Sequence, residues 1–544
     1  MSGHGWLKIQ PLGGVRQIGA NMTLITTPQQ EIIFDAGLSF PHEDLFDIDY
    51  LIPDWNHLRA PSDIIITHGH EDHIGGIGHL LERFPNIKVH ASPLAAALIR
   101  KKLERLKIDT KINLYYPHST LPFADFDIYP IHVNHSIPES CGLLLKSNIQ
   151  SMSLFYLSDF KVDQHHPYEP PCDFVRAHEL TQGLSKRLLL VDSTNMNQGK
   201  DRVPSERDLF NDLDKLIRTH DGRIFVTLFA SNIHRLQTLF NMAKAHRRKV
   251  VPHGQSMNHF IKVSSELGIL KDVDGILLDK DSLRGIEKNL IVLLSGPQGD
   301  FKGALRRVAM GDDPTFKPGA EDRFIFSCKI IPGNERKIHT IVNKLYEWGA
   351  QVYLPGEHLI HASGHAGYDD LRTLCLQYQP TDIIPIHGES SALSRHQAFL
   401  KNEYPHVATH LIYNFDTLSV TSDLQTKIQK NEEPRPIFIH GNSIVIEPSA
   451  ISERRKMATR GLVVCSIHLD NLKKHKPALE LQFLGLPAIV EKHRQRIEDI
   501  IVRQLKQMKV KTSKEQKEKE TSVQIKRYLA EILGYRPVAI VHLT

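Results

Sequence analysis

Residues 67–73 read Thr-His-Gly-His-Glu-Asp-His. The apolar run Asp-Ile-Ile-Ile-Thr at 63–67 leads into them, and a helical pattern at 74–83 leads away. A short apolar run closed by polar residues reads as a buried strand, so the motif sits on a strand-to-helix turn. His68 and His70 are two residues apart, and an extended loop points such a pair the same way. Asp72 and His73 fall where the helix begins, so the turning chain presents a second pair beside the first. Four ligating side chains within six residues exceed the local need of one structural ion. The spacing suits two adjacent divalent ions.

Further ligands are expected downstream. His135 follows the strand-like run 126–133, Asp159 closes the run 153–158, and His387 closes Asp-Ile-Ile-Pro-Ile at 382–386. All three stand at the C-terminal ends of apolar runs, where open α/β sheets place their sites. His132 competes with His135 but lies inside its run and reads as a core or surface histidine.

The same alternation of strands and helices fills the first 195 residues, with runs at 31–35, 63–67, 126–133 and 153–158 and helical patterns at 74–83 and 93–106. This order suggests a layered α/β domain. From about 195 to 350 the pattern becomes βα units: strands at 223–230 and 289–296 and a third unit beginning at 324, each followed by an amphipathic segment. Short strands return after Tyr353. The polar, Pro-containing stretch 421–436 reads as a linker. A small C-terminal domain follows, with strands near 442–446 and 461–468 and a final strand in YRPVAIVHLT (535–544). Residues 503–527 carry nine Lys/Arg against three Glu, a solvated helix or mobile linker in the plain reading and an RNA-touching surface in the sharper one.

Composition limits the alternatives. The chain has 544 residues, 41% hydrophobic and 24% charged, as in ordinary globular protein, with a mild formal charge of +5. No apolar run approaches the ~20 residues that span a bilayer, and the start shows no secretory pattern. The cysteines at 141, 172, 328, 375 and 465 are scattered and odd in number, which argues for reduced thiols and a cytoplasmic setting.

HxHxDH followed by a lone His, a lone Asp and a distant His resembles the metallo-β-lactamase ligand signature. Here Asp159 and His387 are 228 residues apart, and a metallo-β-lactamase core with so large an insertion resembles the β-CASP nucleases. In order, LGGVRQIGANM (12–22), DAGLSFP (35–41), THGHEDHIGG (67–76), VNHSIPES (133–140), SDFK (158–161), DSTNM (192–196), FASNIHRLQ (229–237), GPQGD (296–300), IPGNE (331–335), SGHAGYDDL (363–371) and IPIHGE (384–389) are similar to the ribonuclease J family. The resemblance covers essentially the whole chain. It departs at Arg16-Gln17, where the family more often has Gly-Glu, and at 295–300, usually closer to TGSQGE; neither touches a ligand.

The resemblance implies a metallo-β-lactamase αββα sandwich with an inserted β-CASP α/β domain and a small C-terminal α/β domain. The boundaries expected are 1–197 and 352–422 for the two parts of the sandwich, 198–351 for the insert, 423–437 for the linker and 438–544 for the last domain. It also implies a metal-dependent ribonuclease of RNA processing and decay. Single-stranded RNA would be degraded 5′ to 3′ from a 5′-monophosphate, with endonuclease activity beside it. His68, His70 and His135 would hold one ion, Asp72, His73 and His387 the other, with Asp159 bridging; zinc suits the histidines, and manganese is the alternative. By matching motifs, Asp192, His234 and His365 are the β-CASP residues. Asp72, His365 and Asp192 are expected in catalysis, with His365 as general acid or phosphate donor and Ser363 beside it. Ser231, near a helix N-terminus, and His234 are expected at the substrate, although His234 reads equally as a packing residue. Asp35 is expected to orient the metal loop, and His361 to be structural. The C-terminal domain would support a homodimer or homotetramer, and other RNA-decay factors are possible partners. The rival readings are a metallo-hydrolase of a small thioester, lactone or β-lactam, a non-catalytic RNA-binding scaffold, and a β-CASP nuclease acting on DNA.

Overall fold

A computed structural model describes residues 6–41, 48–199, 201–283, 288–441, 443–468, 479–509 and 512–544. Its contacts divide the chain into two units, one running from the N-terminus to Ile437, the other from Phe438 to Thr544 together with the described residues of 41–50.

Two sheets form the body of the first unit. One has the strand order Thr426–Gln429, Thr417–Val420, Leu7–Gly13, Met22–Thr26, Glu31–Phe34, Asp63–Ile65, Lys88–Ala91 and Ile112–Leu114. The other runs Ala408–Thr409, Asp382–Ile386, Lys186–Asp192, Met152–Leu157, Cys141–Ser147, Phe126–His132 and Leu121–Pro122. The strands of the second sheet are apolar at consecutive positions because both of its faces are covered. Leu143, Leu145, Leu154, Tyr156, Leu188, Leu190 and Ile384 face the first sheet and meet Ile32, Phe34 and Ile65 there. The alternate residues Leu144, Phe155, Leu157, Leu189, Val191 and Ile383 pack on Phe174, Ala177, Leu371, Leu374 and Tyr378 of the helices Phe174–Thr181 and Tyr368–Tyr378. The helices Ile77–Arg83 and Pro93–Leu106 pack together, with Gly78 so close to Leu106 that a Cβ would lie 2.3 Å from it. This is the αββα sandwich expected from the sequence.

A third sheet is wholly parallel, in the order Lys249–His253, Leu290–Leu294, Ile224–Thr227, Arg323–Phe326, Gln351–Tyr353. It lies in sequence between Asp192 and Asp382, adjacent strands of the second sheet, so it is an insertion into the sandwich. In the second unit the order is Leu479–Leu484, Leu462–Ile467, Val538–Leu543. Val463, Cys465 and Val541 of this sheet pack on Ile497, Ile501, Ile525 and Leu529 of the helices Arg494–Gln507 and Lys514–Leu533. These helices take up residues 503–507 and 514–527 of the basic stretch.

Three expectations need correction. The linker at 423–437 contains the strand Thr426–Gln429, which pairs antiparallel with Thr417–Val420; as an edge strand it is mostly exposed, so it needs no apolar alternation and reads as polar loop. The boundary at 351/352 cuts the strand Gln351–Tyr353, which belongs whole to the inserted sheet. The single helix at 74–83 is two, Glu71–Ile74 and Ile77–Arg83. The break is Gly75-Gly76, where the Gly76 amide donates to Ala36 O and a Cβ on Gly75 would lie 2.3 Å from Leu38.

Candidate metal centre

The motif loop leaves the strand Asp63–Ile65 and is clamped from below by the segment 35–38. Ala36 N donates to His73 O over 2.8 Å and Asn21 N to Asp72 O over 2.9 Å. Gly37 is required by this packing, because a Cβ there would meet Asp72 O at 1.7 Å. Asp35 and His387 both adopt left-handed backbone, φ 61° and 51°, a strain of order 1–3 kcal/mol that well-packed surroundings must enforce.

His68, His70, His135 and Asp159 converge as one group; Asp72, His73, Asp159 and His387 converge as a second, their ligand atoms within 4.8 Å of one another in each. Asp159 belongs to both. Its Oδ2 lies 3.4 Å from His135 Nε2 and 3.8 Å from His68 Nε2. Its Oδ1 lies 3.2 Å from His73 Nε2 and 3.7 Å from His387 Nε2. Asp72 Oδ2 stands 3.5 Å from His387 Nε2 and 3.6 Å from His73 Nε2.

Buried partners fix the orientation of four of the five imidazoles. His73 Nδ1 donates to Asp35 Oδ2 over 2.8 Å, and His135 Nδ1 donates to Gly364 O over 2.7 Å. His68 Nδ1 donates to the Thr67 hydroxyl, which donates to Asp35; His387 Nδ1 donates to the Thr194 hydroxyl, which donates to Asp192. Each leaves its Nε2 lone pair turned into the cluster, as metal-ligating histidines require. His70 presents Nδ1 instead, 3.1 Å from both His68 Nε2 and His135 Nε2. Burial holds His70 down to about 4 and His135 down to about 3, so both are neutral. Asp159 Oδ1 and His387 Nε2 are buried without a hydrogen-bond partner. Converging imidazole lone pairs around an orphaned Asp159 oxygen are what a cation would satisfy, and the donor set fits divalent metal.

Solvent reaches the cluster beside Asp72, whose side chain is 29% exposed, and His365, 22% exposed. His365 Nδ1 donates to Asp192 Oδ2 over 2.8 Å; burial pulls this imidazole down, but Asp192 and Asp159 hold it above its ordinary value. Asn195 Nδ2 donates to Ser363 Oγ over 2.9 Å and to His365 O over 2.7 Å, fixing the loop. Gly364 lets it approach, since a Cβ would lie 2.8 Å from the His135 ring. Asn21, Thr67, Thr194 and Asn195 were missed from sequence alone, although each lies within a motif that was read.

His234 and Ser231 are not brought to this cluster. His234 is 4% exposed, with Nε2 3.3 Å from Glu169 Oε2 and its ring 4.5 Å from that of His166. It is buried in this trio, so the expected direct contact with substrate is not what its position offers. His166 Nδ1 accepts the amides of Tyr168 and Glu169, so a neutral His166 carries its proton on Nε2. His166 Nε2, His234 Nε2 and Glu169 Oε2 are each buried without a hydrogen-bond partner, and one ligand atom from each residue lies within 4.8 Å of the others. Ser231 is half-buried, one residue before Asn232, which caps the helix Ile233–Ala245 through Arg235 N. His132 donates from its strand to Pro170 O, and His361 is held well below its ordinary value, to about 3, by burial and by the Arg235 charge.

The fold and its cluster define a metallo-β-lactamase-type hydrolase carrying an insertion. Residues 15–137 match the metallo-beta-lactamase superfamily, 221–345 the ribonuclease J beta-CASP domain, and 354–411 the Zn-dependent metallo-hydrolase RNA specificity domain. Ribonuclease J of Helicobacter pylori is 31% identical over 486 residues, 87% of this chain and 69% of the relative. Ribonuclease J 1 of Streptococcus pyogenes is 33% identical, covering 84% and 82%, and ribonuclease J of Thermus thermophilus is 31% identical, covering 84% and 82%. The chain belongs to the ribonuclease J family and is a metal-dependent β-CASP nuclease. A solved structure of a protein of unknown function from Enterococcus faecalis shares the fold, with a TM-score of 0.54 at 14% identity, covering 76% of this chain and 99% of that one. Among the described residues no helix is long and apolar enough to cross a membrane.

Proposed function

We propose that the chain degrades single-stranded RNA 5′ to 3′ from a 5′-monophosphate end and also cuts internally, using two divalent ions. The position of Asp159 carries this reading, because its two oxygens face two complete ligand groups. His68, His70, His135 and Asp159 would hold one ion, and Asp72, His73, His387 and Asp159 the other. Zinc suits five imidazoles and two carboxylates; manganese is the alternative. An ion pair of this kind supplies hydroxide at neutral pH and positive charge beside the phosphodiester.

The chain's own residues supply orientation and proton transfer. Asp35 and Asp192 hold His73 and His365 directly, and His68 and His387 through threonine hydroxyls. With Nδ1 committed to Asp192, His365 holds a proton on Nε2 at the mouth and gives it to the leaving 3′-oxygen. Ser363 Oγ accepts from Asn195 and His365 N, so its own proton is available to a phosphate oxygen. Cleavage leaves a 5′-phosphate and a 3′-hydroxyl. His234 positions Glu169 and His166 beneath the insert, and Ser231 remains the candidate contact for a 5′-phosphate. The C-terminal unit would join copies into a homodimer or homotetramer.

The test is a 3′-labelled single-stranded RNA bearing a 5′-monophosphate or 5′-triphosphate, with zinc, manganese or chelator. Progressive shortening from the 5′ end, faster on the monophosphate and stopped by chelator, is expected. Cleavage of DNA alone, or of no nucleic acid with any metal, overturns the reading.

A further inference from the structure

Phe301 is 80% exposed at the tip of a loop that is otherwise firmly held. Gly296 and Gly303 pack against each other, a Cβ on Gly296 falling 2.8 Å from Gly303 Cα. Gln298 Nε2 donates to Lys329 O over 2.9 Å, and Ile331 N donates to Gln298 Oε1 over 2.8 Å. The ring is therefore presented to water by a rigid support.

Its surroundings are cationic. Phe301 lines a cavity of about 420 Å³ with Lys302, Arg306, Arg307 and Asp312. Arg306 holds its guanidinium 5.3 Å from the ring centroid. Arg307 is engaged by Asp313 and Lys302 O, whereas no carboxylate pairs with Lys302 or Arg306 among the described residues. An exposed aromatic face flanked by unneutralised cations is what a stacked base and its phosphates require.

The topology puts this patch on the substrate side. The loop leaves the C-terminal end of the strand Leu290–Leu294. At the same edge of the parallel sheet, the strand Gln351–Tyr353 releases the segment that carries Ser363 and His365 to the metal centre. Three strand steps separate the two exits, roughly 14 Å at the usual strand spacing. The two loops are also coupled: Gln298 holds 329–331, and Ser327 Oγ donates to Ile360 O over 2.6 Å, five residues before His365.

We propose that Phe301, with Lys302 and Arg306, is a stacking platform on which single-stranded RNA rests one base as the strand runs to the metal centre. This rests on the ribonuclease reading above. The ring holds the base face, and the two cations hold the adjoining phosphates. Because every base has a face, the contact is independent of sequence; because a duplex has none to spare, it selects single strands.

The experiment compares Phe301→Ala with the wild type on a 20-mer and a tetramer, both 5′-monophosphorylated. Phe301→Ala is expected to raise KM on the 20-mer about tenfold with kcat held, to shift the tetramer less than twofold, and Phe301→Trp to restore the 20-mer. Lys302→Ala with Arg306→Ala is expected to flatten the salt dependence of KM. An unchanged KM on the 20-mer, or an equal rise on both lengths, overturns the platform. If the wild type cleaves neither RNA, the ribonuclease reading fails, and anisotropy of a fluorescein-labelled 20-mer in chelator tests Phe301 by itself. Binding weakened about tenfold by Phe301→Ala then upholds the platform, and binding unchanged removes it.

Discussion

Asp35 Oδ2 accepts the Nδ1 proton of His73 over 2.8 Å, and neither side chain touches solvent. The same carboxylate accepts Thr67 N over 2.8 Å and the Thr67 hydroxyl that supports His68. One side chain thus orients a histidine of each ligand group. Asp35→Asn removes the charge at constant volume and is expected to lower metal affinity about 10- to 100-fold. Competition with a chromogenic chelator measures it; unchanged affinity would show that backbone contacts alone hold the loop.

Gly37 makes a steric prediction. Its missing Cβ would stand 1.7 Å from Asp72 O and 2.7 Å from Asn21 N, so backbone must move before any side chain fits. Gly37→Ala is expected to purify with little bound metal. Gly183→Ala, at a glycine with open space around it, is expected to keep its metal. Elemental mass spectrometry on both variants decides the matter.

His365 stands outside both ligand groups that meet at Asp159, which separates chemistry from metal binding. His365→Ala is expected to retain metal and lose turnover by about 10²–10⁴, the range for a removed general acid. Asp192→Asn leaves the imidazole in place but takes away the charge that raises its affinity for a proton. The alkaline limb of its pH–rate profile is therefore expected at lower pH than in wild type. A wild-type rate for His365→Ala would end its assignment as proton donor.

Glu206 and Arg235 carry a pH prediction of stability. Both are buried; Arg235 donates from Nε and Nη2 to the two Glu206 oxygens, each over 2.9 Å, and from Nη1 to Ile360 O. Burial alone would raise the Glu206 carboxyl, but Arg235 and Lys161 pull it down to about 2. A carboxyl depressed on folding stabilises above its ordinary value near 4.5 and loses that contribution as pH falls toward 2. Glu206→Gln is expected to cost about 3 kcal/mol near neutral pH, with the difference from wild type shrinking steadily below pH 4.5. Parallel thermal melts at pH 7, 4 and 3 test it; a constant difference would mean that the pair contributes no charge effect.

The ligands were legible because seven side chains of two residue types stand at the ends of apolar runs, a pattern that local sequence preserves even when 228 residues intervene. Their supports were less legible. Thr67 and Thr194 act through a single hydroxyl, and nothing in a lone threonine distinguishes that duty from an ordinary strand end. His234 shows the opposite failure: its motif was visible, but only packing reveals that Glu169 and His166 enclose it. The strand at 426–429 escaped because an edge strand exposed on both faces has no apolar face to display.

The order of the strands also sets a schedule for the nascent chain. Lys186–Asp192 is completed early, yet its neighbour Asp382–Ile386 emerges roughly 190 residues later, which takes about 10–40 s at ordinary rates of synthesis. Until then one edge of the second sheet is unpaired, the last histidine is missing, and Asp159 faces an unfinished ligand group. A nuclease built this way cannot complete its ligand set until the insert and the strand that follows it have left the ribosome.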